Sequence, residues 1–368
     1  MNVVVYDSGT GTLSNAGFSW PVDAPPLAEA IPSGQWKPSI GSTVCMGNFD
    51  GIHPGHERII RRAVSIAAEE NLEAIALTFP VHPMKTLGIR TVPLLTTLNE
   101  KLRVLSDLGI RTTFLLPMEG EAATFSPRRF VEDILIRILK ASHCVAGFNF
   151  RFGCGRQGDI HTLATLGEEY GMDVHASRPV ATDHGIISST MLRSWVRHGD
   201  VNLVREVLGR PYTLDGTVVS GAGRGRRVGF RTANVESLEE DKLFPGPGVY
   251  WVRVNLPGCS ESFPAAMSIG LNPTFPGDCE DGRFKAEVHV IDMDRNLYGT
   301  RIQVAFMQRL RPMCRYDGAA DLARQIALDI KSIREGELNM EKGGENRCQV
   351  RILQATNFRY ESESNPNS

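Results

Sequence analysis

The sequence contains no apolar run approaching the roughly 18 residues that a membrane-spanning helix requires, and no Lys or Arg precedes Lys37. The first absence argues against a bilayer-spanning helix. The second leaves the amino terminus without the charged start of a secretory signal or the Arg-rich character of a transit peptide. Cysteine pairs at C-x-x-C spacing are also missing. Cys45, Cys144, Cys154, Cys259, Cys279, Cys314 and Cys348 are scattered and odd in number, so neither zinc nor a disulfide framework is indicated and reduced thiols in a cytoplasmic protein are expected. No excess of one charge exists: 40 Lys+Arg against 42 Asp+Glu give a formal charge of −2. No global field therefore attracts nucleic acid or an anionic membrane. What is present is ordinary globular usage, 42% hydrophobic and 22% charged over 368 residues. At roughly 100–200 residues per domain, that length favours two folded domains.

Residues 1–40 are rich in Gly, Ser, Pro and Ala and read as a largely irregular extension, with a short strand at Val3–Tyr6 as the exception. From Thr43 to His198, short apolar runs alternate with amphipathic helical patterns, which predicts a parallel sheet covered by helices over 41–199. Strands are expected at Thr43–Met46, Ala74–Phe79, Thr112–Leu116 and His143–Ala146. Ile59, Ile60, Ala63, Val64, Ala67 and Ala68 recur at helical spacing, and Thr97 with Glu100 forms a capping-box pattern. Ser126–Pro127 opens a further helix, and Gly199 closes one that starts at Ser189.

Beyond Gly209 the texture changes to short alternating segments divided by Gly and Pro, the pattern of an antiparallel barrel or sandwich over 209–334. Ala286, Val288 and Val290 share one strand face, leaving Glu287 and His289 on the other. Leu322, Ile326, Ile330 and Ile333 form an apolar helical stripe after Asp317. Residues 335–368 are polar and read as a disordered tail.

The strongest motif is Gly47-Asn48-Phe49-Asp50-Gly51-Ile52-His53-Pro54-Gly55-His56, placed between a strand and the helix after it. A helix amino terminus leaves backbone N–H groups free for phosphate, and Gly55 permits close approach. Two imidazoles three residues apart can face one phosphate and stabilise charge developing on it. In Ile187-Ser188-Ser189-Thr190-Met191-Leu192-Arg193, hydroxyls precede an Arg by one turn, a combination suited to a triphosphate. A capping serine and a solvated arginine would look the same. In the second domain, Ser220-Gly221-Ala222-Gly223-Arg224-Gly225-Arg226-Arg227-Val228-Gly229 joins four glycines to three arginines. Such a loop suits phosphates but equally suits a generic basic turn, and it is neither a P-loop nor a placed dinucleotide fingerprint.

Together these segments resemble the prokaryotic bifunctional riboflavin kinase/FAD synthetase family from about Trp36 to Ile330. The resemblance rests on His53-Pro54-Gly55-His56 and Ile187 to Arg193, with support from Thr78 to Pro83, Leu95 to Lys101 and Gly147 to Gly153. In the second half, Gly229-Phe230-Arg231-Thr232-Ala233-Asn234 is similar to a G-F-P-T-A-N signature, with Arg231 at the family's proline. The resemblance implies a Rossmann-like α/β nucleotidyltransferase domain followed by an antiparallel riboflavin-kinase β-barrel with a closing helix. It implies phosphorylation of riboflavin to FMN, then adenylylation of FMN to FAD, each with ATP and Mg²⁺. It assigns His53 and His56 to transition-state contacts, and Gly47, Asn48, Phe49, Asp50, Gly55, Ser189, Thr190 and Arg193 to the nucleotide of the first site. Flavin contacts fall at Phe79 and Asn149. In the second site it assigns Glu287 as base, Gly221, Gly225, Arg226 and Gly229 to nucleotide, and Thr232 and Asn234 to nucleotide and metal. Riboflavin, FMN and ATP are the implied partners, without nucleic acid or membrane, and the oligomeric state stays open. Two alternatives also stay open: an FAD synthetase whose kinase half is impaired by Arg231, and a flavin-binding carrier or regulator without chemistry.

Overall fold

The computed structural model describes residues 1–7, 12–17, 38, 40–86, 88, 92–220, 229–270 and 285–341, with backbone alone for 12–17 and 341. The chain begins with strands β1 (Asn2–Asp7) and β2 (Thr12–Gly17), an antiparallel pair. Strand β3 (Ser42–Met46) is buried at every residue, as a central parallel strand covered on both faces must be. Helix α1 (Pro54–Glu69) starts with Pro54, whose missing N–H is no loss in the first turn, and buries Ile59, Ile60, Ala63, Ile66 and Ala67. Strand β4 (Glu73–Thr78), the short α2 (Pro83–Thr86), α3 (Leu98–Asp107) and β5 (Thr112–Leu115) follow. The expected Thr97/Glu100 capping box is formed in both directions. Ser126 caps α4 (Pro127–Arg129), which continues as a π-helix over Phe130–Ile138.

Strand β6 (Ala141–Gly147) leads to a small hairpin, β7 (Arg151–Phe152) and β8 (Gly158–Asp159), and to α5 (Ile160–Tyr170) and β9 (Asp173–Ser177). A second hairpin, β10 (Ala181–Thr182) and β11 (Gly185–Ile186), precedes α6 (Ser189–His198) and α7 (Val201–Leu208). The main sheet has seven strands in the order β2-β1-β5-β4-β3-β6-β9, parallel throughout except for β2. Val3, Val4 and Tyr6 are buried, so the sheet begins inside the span 1–40 that composition marks as an extension. The short strand expected at Val3–Tyr6 is β1, and its parallel partner β5 lies far along the chain, where the composition of residues 1–40 gives no sign of it.

The remainder is a closed antiparallel barrel of β12 (Tyr212–Val219), β13 (Ala233–Ser237), β14 (Gly248–Asn255), β15 (Ser262–Gly270), β16 (Lys285–Val290) and β17 (Arg301–Arg311), in the order β12-β13-β16-β15-β14-β17. Helix α8 (Ala319–Glu341) closes it, with Ile333 buried among Trp251, Ile291 and Met307. The helix passes Gly336 into the expected tail. There Glu337 accepts hydrogen bonds from Trp251 and Arg253, partners on the barrel that no local periodicity reveals. Residues 342–368 lie outside the described residues. Cys45, Cys144, Cys154, Cys259 and Cys314 are free thiols, and no helix among the described residues is long and apolar enough to cross a membrane.

The two halves share one core. Leu95, Leu192, Val196, Val201 and Val204 belong to the same buried cluster as Tyr212, Leu214, Tyr250 and Phe306 of the barrel. Across this junction Lys242 Nζ donates to Glu100 Oε2 at 2.5 Å and to the Leu95 carbonyl at 2.7 Å. The Lys242 and Glu100 side chains are 0% and 1% exposed. Removing one partner of a buried pair strands the other charge, so Lys242→Met is expected to cost about 3–5 kcal/mol. Denaturant unfolding followed by the fluorescence of Trp195, which packs on this cluster, measures it. A loss within about 1 kcal/mol, the range of an exposed pair, would contradict this assignment.

Candidate active sites

Strand β3 lies where the chain order reverses, with β4 on one side and β6 on the other. In open α/β sheets the crevice at the carboxyl ends of such strands receives ligands. The segment leaving β3 makes a tight loop in which Phe49, Gly51 and Ile52 take φ of +51°, +82° and +34°. Bulky L-residues avoid that region, so the loop must be held by its surroundings. Asp50 supplies much of the hold, because its Oδ1 accepts from the backbone N–H of Leu95 at 2.9 Å and of Thr96 at 3.0 Å. Its other oxygen meets the Arg193 guanidinium. Ser189 Oγ donates to the Asp50 carbonyl at 2.8 Å, and Thr96 Oγ1 accepts from Gly51 N–H at 3.0 Å.

This loop delivers His53 as the N-cap of α1 and His56 one turn inside it. The two imidazoles stack with centroids 3.8 Å apart, and Phe49, buried beneath, meets His56 edge-on. His53 Nδ1, His56 Nδ1 and Asn48 Oδ1 are buried and lack a hydrogen-bond partner among the described residues. Three unsatisfied polar atoms around one helix amino terminus fit a polar ligand. Burial pushes His53 down to about 4 against the opposing pull of Asp50, and burial also holds His56 well below the ordinary histidine range. Lys101 on α3, brought down to about 8 by burial, contributes to that lowering of His56 and donates to the Phe79 carbonyl at 3.3 Å. At neutral pH both rings are therefore uncharged rather than cations, each with one donor and one acceptor nitrogen.

The sequence-marked residues divide by position. Gly47, Asn48, Phe49, Asp50, Gly55, Ser189 and Arg193 gather around the loop, but several face inward. Phe49 is wholly buried, and the Asp50 carboxylate is spent on Leu95, Thr96 and Arg193. Arg193, also buried, uses Nε on the Pro93 carbonyl and Nη2 on Asp50. Thr190 is exposed on α6, while Ser188 rather than Ser189 accepts from the Met191 N–H as helix cap. Phe79 is half-buried just after β4, and Asn149 is exposed just after β6. Beside them Val81 and Phe148 are 46% and 49% exposed, leaving apolar surface on both flanks of the loop. Thr96 and Arg210, which also hold the loop, were not singled out from sequence. Their partners lie 45 to 159 positions away, and only folding joins them.

In the barrel, Asn234 and Glu287 stand opposite each other in the β13–β16 ladder. Alternation buries Ala286, Val288 and Val290 inside, so Glu287 and Asn234 project together outside. The His289 ring accompanies Glu287 on that face, and its Nδ1 donates to the Arg231 carbonyl at 2.7 Å. The Arg231 guanidinium pairs with Asp294, between β16 and β17. Gly229 has φ of +85°, whereas Gly221, Gly225 and Arg226 lie outside the described residues. No cluster of three or more His, Cys, Asp or Glu arranged for a metal occurs among the described residues.

A family model for FAD synthetase matches residues 37–191, and one for riboflavin kinase matches residues 208–336. The chain is 32% identical over 311 residues to a bifunctional riboflavin kinase/FMN adenylyltransferase of Listeria monocytogenes, covering 84% of this chain and 96% of that one. It is 33% identical over 299 residues to the protein of that name from Escherichia coli, covering 81% and 93%. A crystal structure named as a macrolide-efflux protein from Streptococcus pneumoniae superposes with a TM-score of 0.71 at 30% identity, covering 80% of this chain and 94% of that one. Both family models and both named relatives thus point the same way as the two sites, and the chain belongs to the bifunctional riboflavin kinase/FMN adenylyltransferase family.

Proposed function

We propose that adenylyl transfer takes place at the loop before α1 and phosphoryl transfer beside Glu287, with FMN made at the second site consumed at the first. The stacked His53–His56 pair with unsatisfied buried Nδ1 atoms carries the first assignment. The FMN phosphate, with a second pKa near 6, is already an anionic nucleophile at neutral pH. It needs no strong base. What the site must do is hold it in line with the α-phosphate of ATP and stabilise, by hydrogen bonds, the charge that develops as pyrophosphate leaves. Neutral imidazoles suit this as fixed donors. Gly47, Asn48 and Gly55 offer backbone and amide groups to the nucleotide, with Thr190 and the remaining Arg193 nitrogen beyond them. Val81 and Phe148, beside Phe79 and Asn149, offer a surface for the flavin ring.

In the barrel, Glu287 orients and deprotonates the 5′-hydroxyl of riboflavin as that oxygen attacks the γ-phosphate of ATP. Thr232 and Asn234 supply neutral oxygens beside it. That set is too sparse to hold Mg²⁺ alone, but suits an ion that arrives on ATP phosphates and keeps several waters. The metal, when bound, screens the phosphate charge; the protein's share is placement. Arg231 does not obstruct this arrangement, since its guanidinium is turned to Asp294 and its carbonyl is held by His289.

Purified protein given riboflavin or FMN with ATP and Mg²⁺, and resolved chromatographically over time, tests these assignments. His56→Ala should lower FAD formation about 10²–10³-fold while riboflavin still becomes FMN. Glu287→Gln should do the reverse, lowering FMN formation about 10²–10⁴-fold with FMN still becoming FAD. If either variant loses both steps equally, the separation of sites is wrong. Arg231→Pro keeps the carbonyl that His289 grips, so kinase turnover should stay within about threefold of the parent, under 1 kcal/mol. A rise beyond about tenfold would instead establish Arg231 as an impairment of the kinase site.

A further inference from the structure

The catalytic loop is gripped from an unexpected quarter. Arg210 lies between the end of α7 and the first barrel strand, outside the α/β domain that carries the loop. Its Nη2 donates to the Gly51 carbonyl at 2.8 Å and lies 3.4 Å from the Ile52 carbonyl. Both acceptors belong to residues of positive φ, and the second carbonyl shares its peptide plane with the His53 N–H. Fixing that plane fixes the entry of the chain into α1, and with it both imidazoles. Arg210 has no carboxylate within ion-pair distance among the described residues, so the contact is not a by-product of a salt bridge. The hydrogen bonds to the two carbonyls are what compensate this guanidinium for its partial burial, so they hold it firmly in place.

We propose that Arg210 is a positioning residue for adenylyl transfer, through which docking of the barrel sets the conformation of the loop that presents His53 and His56. The proposal rests on the assignment of those imidazoles to the first site. A cavity of ≈ 350 Å³ reaches this place between the halves, lined by Arg210 and Gly51 together with Thr96, Arg103, Asp107 and Gln303. It gives a small guanidinium a route to the position that a truncated side chain would vacate. Arg210 also opposes protonation of His53, consistent with its proximity.

The test compares the parent enzyme with Arg210→Ala, Arg210→Lys and His56→Ala in both half-reactions. Misplacing a catalytic group by about 1 Å can cost about 10²-fold, so Arg210→Ala should lower kcat for FMN adenylylation by about that factor. kcat/KM should fall in parallel, the mark of an interaction that serves the transition state. Riboflavin phosphorylation should continue at the parent rate, millimolar ethylguanidinium should restore part of the lost adenylylation, and Arg210→Lys should fall between Ala and parent. Adenylylation by Arg210→Ala at the parent rate overturns the proposal. So does an equal fall in both half-reactions, or a loss that neither Lys nor ethylguanidinium relieves. If the alanine variant does not fold, Arg210→Lys decides. Reduced adenylylation with parental kinase rate upholds the proposal, and parental or equally reduced rates overturn it. Full adenylylation by His56→Ala would instead remove the imidazole assignment itself.

Discussion

Much of the molecule depends on one buried carboxylate. Glu100 closes the capping box of α3 by accepting from the Thr97 N–H, receives the Lys242 ammonium, and accepts from the Asp215 N–H at the start of the barrel. Burial pushes its carboxyl up, and Lys242 draws it back. Asp215 extends the network to Arg103 and Gln303, and Gln303 to Asn255. A helix start in the first half and three strands in the second are thereby fixed to each other by buried and half-buried polar groups. Buried polar networks of this kind demand full satisfaction, and in return they allow one arrangement of the halves.

That arrangement bears on the first site because α3 and the loop after β3 are neighbours. The residues just before α3, Leu95 and Thr96, donate to Asp50, and Thr96 accepts from Gly51. The loop is thus clamped between the cap of α3, the start of α6 and the linker to the barrel. Such over-determination is what permits Phe49 and Ile52 to remain at positive φ, a conformation worth adopting because it aims two neutral imidazoles and a helix amino terminus at one place. The second site needs less scaffolding. A ladder register sets Glu287 beside Asn234 directly, and the His289–Arg231 bond ties the adjoining turn to the strand.

The two proposed sites consequently differ in physical character within one chain. The first recruits polar groups from three distant segments to a buried loop, where burial holds both imidazoles uncharged. The second places a carboxylate on a partly exposed strand face. Adenylyl transfer from ATP to a phosphate that is already an anion calls for placement and stabilisation of developing charge, whereas attack by a hydroxyl calls for a base, and the surroundings of the two proposed sites fit that difference.

Periodicity and capping chemistry sufficed to read β3, α1, β4, β6, the Thr97/Glu100 box and the Gly199 stop, because each depends on residues within one or two turns of one another. The alternation of Ala286, Val288 and Val290 likewise placed Glu287 on the outer face before any pairing was known. The short motifs, taken with their resemblance to a family, pointed to the family that the comparisons show and to the two places proposed as its sites. Sequence did not show that Asp50 and most of Arg193 are turned inward to each other, or that β1 belongs to the main sheet. Nor did it show that Glu337 extends α8, or that Arg210 reaches Gly51. Each of these rests on a hydrogen bond or strand pairing between residues from 84 to 159 positions apart. Local spacing carries no information about such partners, since the geometry that joins them exists only once the core shared by the two halves has closed.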